Sequence, residues 1–125
     1  MARLLTDLIH AGEEHRVDGA VVTPVFQSAT YEYGGQEQYR DLRYIRLNNT
    51  PNHRVLHTKL AQIEGADAAV VTASGMAAIT TLLLSELKSG DHLLAQDCLY
   101  GGTMGFLTQH IGDYGVAVDF FPGND

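Results

Sequence analysis

The residues of greatest chemical reach fall in three short stretches. In the first, Ser74-Gly75-Met76 connects two apolar runs. Residues 68–72 (A-A-V-V-T) are short and partly β-branched and predict a buried strand. Residues 76–84, rich in Ala, Met, Leu and Ile, predict a buried helix. A chain that passes from strand to helix through a small residue and a glycine leaves amide N–H groups free at the helix start. Together with the helix dipole, those groups attract an anion. Gly75 has no Cβ to keep the anion off the backbone. The expectation is a phosphate seated at Ser74, Gly75 and Met76; the alternative is a tight turn that holds no ligand.

The second stretch is Asp97-Cys98-Leu99-Tyr100-Gly101-Gly102-Thr103. It lies at the carboxyl end of a second expected strand, where ligands sit in open α/β sheets. Two glycines after Tyr100 free the backbone to present its ring, which could stack on a planar heterocycle; the alternative is a buried turn tyrosine. The third is Tyr44-Ile45-Arg46, followed by Leu47-Asn48-Asn49-Thr50-Pro51-Asn52. In an extended segment, residues two apart point the same way. Tyr44 and Arg46 are then expected to reach one anion together, by phenol and guanidinium; the alternative is a solvated loop arginine.

Other reactive side chains lead nowhere as strong. His53 and His57 are four apart on an expected helix, the spacing of a metal pair, but the glutamate of H-E-x-x-H is absent, so no metal site is expected. Cys98 is the lone cysteine, which excludes an internal disulfide, suits the cytosol and reads as a small packed thiol. There is no G-x-x-x-x-G-K-[ST] loop and no G-x-G-x-x-G after a strand, which disfavours a generic nucleotide-binding domain.

These stretches need elements to position them. Leu4, Leu5, Leu8 and Ile9 share one face of a short helix that Gly12 would end. Residues 13–52 have little periodicity, turn residues at Gly19, Pro24, Gly34 and Gly35, and five aromatics (Phe26, Tyr31, Tyr33, Tyr39, Tyr44). About forty residues without period are unusual inside a compact domain, so this segment is expected to be an extended arm packing on another surface. Helical order returns at Pro51, with Val55, Leu56, Leu60 and Ile63 on one face, Asn52 as cap and Gly65 as stop. Residues 91–96 predict the second strand, residues 102–111 a helix, and residues 116–121 a third strand. The resulting α-β-α-β-α-β order implies a parallel sheet covered by helices. The chain ends directly after a strand, where such a fold would turn into another helix, so it is expected to be part of a longer protein.

The 125 residues suffice for one modest core, and 45% hydrophobic content fits a soluble globular chain. The net charge of -7 argues against non-specific nucleic-acid binding. No apolar run reaches membrane-spanning length, and the N-terminus has no h-region, so a cytoplasmic protein is expected.

Taken together, the three stretches resemble the Cys/Met metabolism family of pyridoxal-phosphate (PLP) enzymes, which includes cystathionine γ-synthase, the cystathionine β- and γ-lyases and methionine γ-lyase. Leu8-Ile9-His10-Ala11-Gly12 resembles the family's opening, and residues 19–30 (G-A-V-V-T-P-V-F-Q-S-A-T) its arm. Leu60 through Glu64-Gly65 to Ala73-Ser74-Gly75-Met76-Ala77-Ala78 is similar to its helix and phosphate turn. Gly90-Asp91-His92 and Tyr100-Gly101-Gly102-Thr103 complete the match. The order and spacing of these motifs carry the resemblance more than any one of them. The arm departs at one place: the family has Asn-Pro-Thr soon after the Tyr-x-Arg pair, whereas this chain has Asn49-Thr50-Pro51-Asn52, with the proline displaced by one position.

The resemblance implies an α/β fold, the first part of the large domain of a PLP-dependent transferase of the aspartate aminotransferase-like kind, preceded by an extended N-terminal arm. Residues 1–52 would be the arm with its short helix and inter-subunit loop, and residues 53–125 an incomplete PLP-binding domain. PLP (pyridoxal 5'-phosphate) would be the cofactor, a small sulfur amino acid the substrate, and a homodimer or homotetramer the assembly, with no nucleic acid or membrane as partner. The Gly75 and Met76 amides, with Ser74, would hold the phosphate. Tyr100 would stack on the pyridine ring and assist acid–base steps. Tyr44 and Arg46 would reach the phosphate of a neighbouring subunit's cofactor. PLP chemistry also needs a lysine that binds the cofactor as a Schiff base and a carboxylate near the ring nitrogen. The two lysines, Lys59 and Lys88, occupy neither family position. The chain is therefore expected to be an N-terminal portion of a carbon–sulfur lyase or γ-synthase, inactive by itself. The alternative is a non-catalytic binding or interaction module that reuses the PLP-site scaffold.

Overall fold

The computed structural model describes residues 2–13 and 16–123. They form helix α1 (Ala2–His10), helix α2 (Pro51–Glu64), helix α3 (Gly75–Glu86), strand β1 (His92–Gln96), helix α4 (Gly101–Gln109) and strand β2 (Ala117–Phe121). Short 3-10 turns lie at Tyr39–Asp41, Ile45–Leu47 and Ile111–Tyr114. The chain divides into two compact units, Met1–Val71 and Thr72–Asp125.

The first unit contains α1, the arm and α2. Gly12 follows α1 in the left-handed region, φ 77°. A Cβ there would lie only 3.0 Å from the Val55 carbonyl oxygen and 3.3 Å from Thr58 Cβ, so the glycine lets α1 end directly on α2. Lys59 fixes this junction: its Nζ donates to the Ile9 carbonyl at 2.9 Å and pairs with Glu13 at 3.1 Å. Glu13 in turn accepts from the Thr23 amide at 2.6 Å and from the Thr23 hydroxyl.

The arm has almost no ladder. A single antiparallel bridge, Thr30 with Tyr44, is its one sheet-like contact among the described residues. Backbone groups without a ladder partner must find one elsewhere, and here side chains supply it. Asn52 accepts from the Phe26 amide at 2.7 Å and donates to the Pro24 carbonyl at 2.8 Å. It is therefore not the cap of α2. That position belongs to Thr50, with Pro51 at the first helical site, where its missing N–H costs nothing. Gly65 ends α2 as expected, at φ 64°. The Ala66 amide reaches back to the Ala61 carbonyl at 2.9 Å, the pattern of a Schellman stop. The expected apolar face of α2 is only partly covered: Leu56 and Leu60 are exposed, and the buried residue is Ala61. The reason is that α1 arrives on the side marked by Val55 and Thr58.

The second unit is built on β1 and β2, which pair in parallel with Leu94 opposite Asp119 and are joined through α4. Ile111, fully buried, sits with Leu107 and Val116 at the core, against Leu83 and Leu87 from α3 and its cap, Leu93 and Ala95 from β1, and Val118 from β2. Alternation explains the strand pattern: Leu93 and Ala95 face inward while Leu94 is exposed. The expected strand over residues 68–72 is not formed; the segment is irregular and Val70 is 70% exposed. A strand exists only where a neighbour completes its hydrogen bonds, and β1 and β2 pair with each other alone among the described residues. The sheet is thus two-stranded, not three-stranded.

Glycines give the sharpest test of this packing. At Gly105, inside α4, a Cβ would meet nothing within 4 Å, so Gly105→Ala is expected to raise stability by about 1 kcal/mol through helix propensity. Gly115 has φ 78°, and a Cβ there would lie 3.0 Å from Ser89 Cβ and 3.2 Å from Ser89 Cα. Gly115→Ala is expected to lower stability by about 1 kcal/mol or more. Thermal unfolding of the two variants should move in opposite directions; a common direction would contradict the packing described.

Candidate functional site

Helix α3 begins at an unusually bare turn. Ser74, extended at φ -160° and ψ 161°, is its cap: Ser74 Oγ accepts from the Ala77 amide at 3.1 Å. The Ser74 carbonyl accepts from the Ala78 amide at 3.0 Å and from the Thr72 hydroxyl at 2.9 Å. Of the first-turn amides this leaves Gly75 and Met76, which have no hydrogen-bond partner among the described residues. The Ser74 hydroxyl keeps its proton to donate. A Cβ at Gly75 would meet nothing within 4 Å, so no neighbouring group crowds that side of the turn. Two amides, one hydroxyl and the positive end of a twelve-residue helix converge there, a donor set suited to a phosphate.

Tyr100 precedes α4, makes no side-chain cap bond and is 74% exposed. It is not the buried turn tyrosine of the alternative reading. Its ring is beside the α3 start. A Cβ at Gly102 would lie 2.8 Å from Tyr100 Cε1, 3.0 Å from Met76 Sδ and 3.4 Å from Met76 Cγ. Ring and thioether thus share the space that glycine leaves. The second unit therefore brings Ser74, Gly75, Met76 and Tyr100 together: donors for a phosphate next to an exposed aromatic face. A cofactor with a phosphate tail and a flat ring matches both features.

Tyr44 and Arg46 lie in the first unit and meet there, with the Arg46 guanidinium 4.8 Å from the Tyr44 ring centroid. The geometry is not that of an extended strand. Tyr44 is extended at φ -157°, but Arg46 is in the Ile45–Leu47 3-10 turn, which folds the guanidinium back over the ring. Asn49 clamps the loop, accepting from the Tyr44 amide at 2.9 Å and donating to the Leu42 carbonyl at 2.6 Å. Both ends of its amide are committed within the loop. Asn48, left-handed at φ 54°, donates to the Val71 carbonyl at 2.8 Å.

Sequence reasoning gave Gly102 only the role of freeing the backbone after Tyr100, and gave Thr103 no role of its own. The signal was the run of small residues after Tyr100, which reads equally as a flexible turn. Only His53 of the histidine pair has a side-chain hydrogen-bond partner among the described residues. His53 Nδ1 is 2.8 Å from the Thr50 hydroxyl, and His57 Nε2 is buried with no partner. No group of three or more His, Cys, Asp or Glu side chains among the described residues is arranged to hold a metal ion. A cavity of about 590 Å³ in the first unit, walled by Phe26, Tyr31, Arg43 and Val55 among others, includes none of the expected cofactor residues. No helix among the described residues is long and apolar enough to cross a membrane.

Comparisons with known proteins place the chain in a family. The chain superposes over 98% of its length, with a TM-score of 0.83 and 27% identity, on 32% of the cystathionine gamma-lyase from Lactobacillus plantarum solved in complex with L-serine. This is the fold of a PLP-dependent enzyme. Residues 5–125 match the Cys/Met metabolism PLP-dependent enzyme family, and the chain belongs to that family. It is 40% identical over 116 residues to a protein of Herpetosiphon aurantiacus named "Probable cystathionine gamma-synthase", covering 92% of this chain and 36% of that one. It is 36% identical over 123 residues to an L-methionine gamma-lyase of Fusobacterium nucleatum subsp. polymorphum, covering 92% of this chain and 31% of that one. The chain spans about a third of the length of the curated relatives it matches.

Two titrations report on the first unit. Burial, and then the charge of His53, lowers the His57 pKa below its ordinary 6.5. The Thr23 hydroxyl, aided by Lys59 and opposed by desolvation, lowers the Glu13 pKa below its ordinary 4.5. Both groups are depressed in the folded state, so each contributes stability at higher pH that is lost on acidification. The His57 contribution is complete above 6.5 and falls as pH drops through its lowered value; that of Glu13 falls in the same way below 4.5. Urea titrations at successive pH values should show stability declining from neutral pH downward. His57→Gln should remove the decline that begins near pH 6.5, and Glu13→Gln the decline below pH 4.5. Unchanged profiles in either variant would refute the corresponding assignment.

Proposed function

We propose that this chain is the cofactor-gripping N-terminal portion of a PLP-dependent enzyme of sulfur amino-acid metabolism, of the carbon–sulfur lyase or γ-synthase type. The observation that carries the reading is the pair of unpartnered amides, Gly75 and Met76, beside the exposed ring of Tyr100. PLP, when bound, supplies an electron-withdrawing ring that makes bonds at an amino acid's α-carbon easier to break. The chain's own part is binding and orientation. The Gly75 and Met76 amides and the Ser74 hydroxyl are the donors this subunit offers to the phosphate. Tyr100 would stack on the cofactor ring, and its phenol would assist acid–base steps.

Tyr44 and Arg46 present a phenol and a guanidinium on a loop whose neighbours Asn48 and Asn49 hold it in shape. We assign them to the phosphate of a neighbouring subunit's cofactor, in a cytoplasmic homodimer or homotetramer. The exposure of Val21, Val22, Val25, Tyr33 and Tyr39 along the arm supports a protein surface as the arm's partner.

Lys59 is already held by Ile9 and Glu13, and Lys88 is at an exposed turn. Neither is placed to carry the cofactor. The 125-residue chain is therefore expected to release no keto acid from cystathionine or methionine beyond the rate of free PLP. Turnover well above that control would overturn the assignment of a partial site.

The grip itself is tested with pyridoxamine 5'-phosphate, which has the phosphate and ring of PLP but no aldehyde to react with lysines. Gly75→Pro deletes one donor at a helix position that accepts proline. The variant should keep its helical circular dichroism and bind this probe about tenfold or more weakly, the loss expected for a hydrogen bond to a charged group. Pyridoxamine, which has no phosphate, should bind both proteins alike. Equal affinity of the probe for variant and wild type would contradict the amide grip.

A further inference from the structure

Thr103 stands apart from other threonines of the second unit's helices. Thr80 and Thr108 bond the carbonyl four residues back, Met76 and Met104, each at 2.8 Å. That is the usual fate of a helical threonine hydroxyl. Thr103 is one of the few buried polar residues, 8% exposed. Its hydroxyl instead points across to α3, with Oγ1 3.7 Å from Met76 Sδ. The Met76 thioether is thus fixed on two sides, by the Thr103 hydroxyl and by the bare backbone of Gly102, with the edge of the Tyr100 ring in the same gap.

We propose that Thr103 is a positioning residue: by holding the Met76 side chain, it sets the spacing between the phosphate-binding amides of α3 and the Tyr100 ring at the start of α4. The inference rests on the cofactor reading above and adds a residue to it. Met76 then acts twice. Its amide faces the phosphate, and its side chain ties that amide to α4. A thioether suits this role because it is flexible and polarizable enough to fill an irregular gap and still accept a hydroxyl. Neither helix start alone determines the distance from phosphate to ring; the core packs α3 against α4, and this contact trims their spacing at the site. A ligand with both groups should sense its loss, whereas inorganic phosphate alone should not.

The test uses the 125-residue chain labelled with 13C at its methionine methyls, the Met76 signal being assigned by its loss in Met76→Leu. Thr103→Val removes the hydroxyl at nearly constant volume, and Thr103→Ser keeps it. Thr103→Val is expected to shift the Met76 methyl resonance and to weaken pyridoxamine 5'-phosphate binding about three- to tenfold, the range of one modest hydrogen bond. Affinity for inorganic phosphate should stay unchanged. Thr103→Ser should restore both the resonance and the probe affinity. In the Met76→Leu background, Thr103→Val should have no further effect, because the acceptor is already gone. A Met76 methyl indifferent to Thr103→Val, or an equal loss of affinity in the Met76→Leu background, would overturn the positioning role. Absence of probe binding by the wild-type chain would instead overturn the cofactor reading, while the methyl signal would still decide the contact between Thr103 and Met76.

Discussion

A helix cannot satisfy its own first amides, and the second unit depends on how that deficit is met at α3. Ser74 takes up the Ala77 and Ala78 amides with its side chain and its carbonyl. The Gly75 and Met76 amides are left without a partner among the described residues. Backbone donors are oriented by the helix itself and need no further ordering. The burial of Ile111, Leu107 and Val116 serves the same end. That core fixes α4 against β1 and β2, and so fixes where the residue preceding α4, Tyr100, can be.

The two units solve the backbone problem in different ways. In the second, ladders and helices account for most of it. In the first, the arm has one bridge and relies on side chains that bond main-chain groups: Asn52 to Phe26 and Pro24, Asn49 to Tyr44 and Leu42, Glu13 to Thr23. Each such bond joins residues whose relation no hydrophobic period reveals. This explains why the arm looked structureless in sequence although its turns are specifically held. It also gives Asn49 and Asn52 structural work around the displaced proline, since both ends of each side-chain amide are engaged.

Tyr44 and Arg46 meet through a different backbone from the one expected. Two-residue spacing in an extended chain would set both side chains on one side. The 3-10 turn at Ile45–Leu47 instead folds the guanidinium over the ring. The backbone that brings them together was decided by the Asn48 and Asn49 bonds rather than by alternation.

By itself the sequence determined those features that depend on a few consecutive residues. Gly12 and Gly65 stop their helices because left-handed dihedrals are open to glycine. Ser74-Gly75 starts α3 because a serine cap and a glycine solve a local amide deficit. Residues 91–96 read as a strand and residues 116–121 alternate as one, and the order of the Tyr-x-Arg, Ser-Gly-Met and Tyr-Gly-Gly-Thr motifs marks the PLP family. Only the tertiary structure decided that residues 68–72 form no strand, that Thr50 and not Asn52 caps α2, that Leu56 and Leu60 are left exposed, and that Thr103 meets Met76. In each of these cases the outcome depends on which distant group arrives to pair with or cover a residue. Pairing and burial are properties of two segments at once, and no spacing within one segment specifies them.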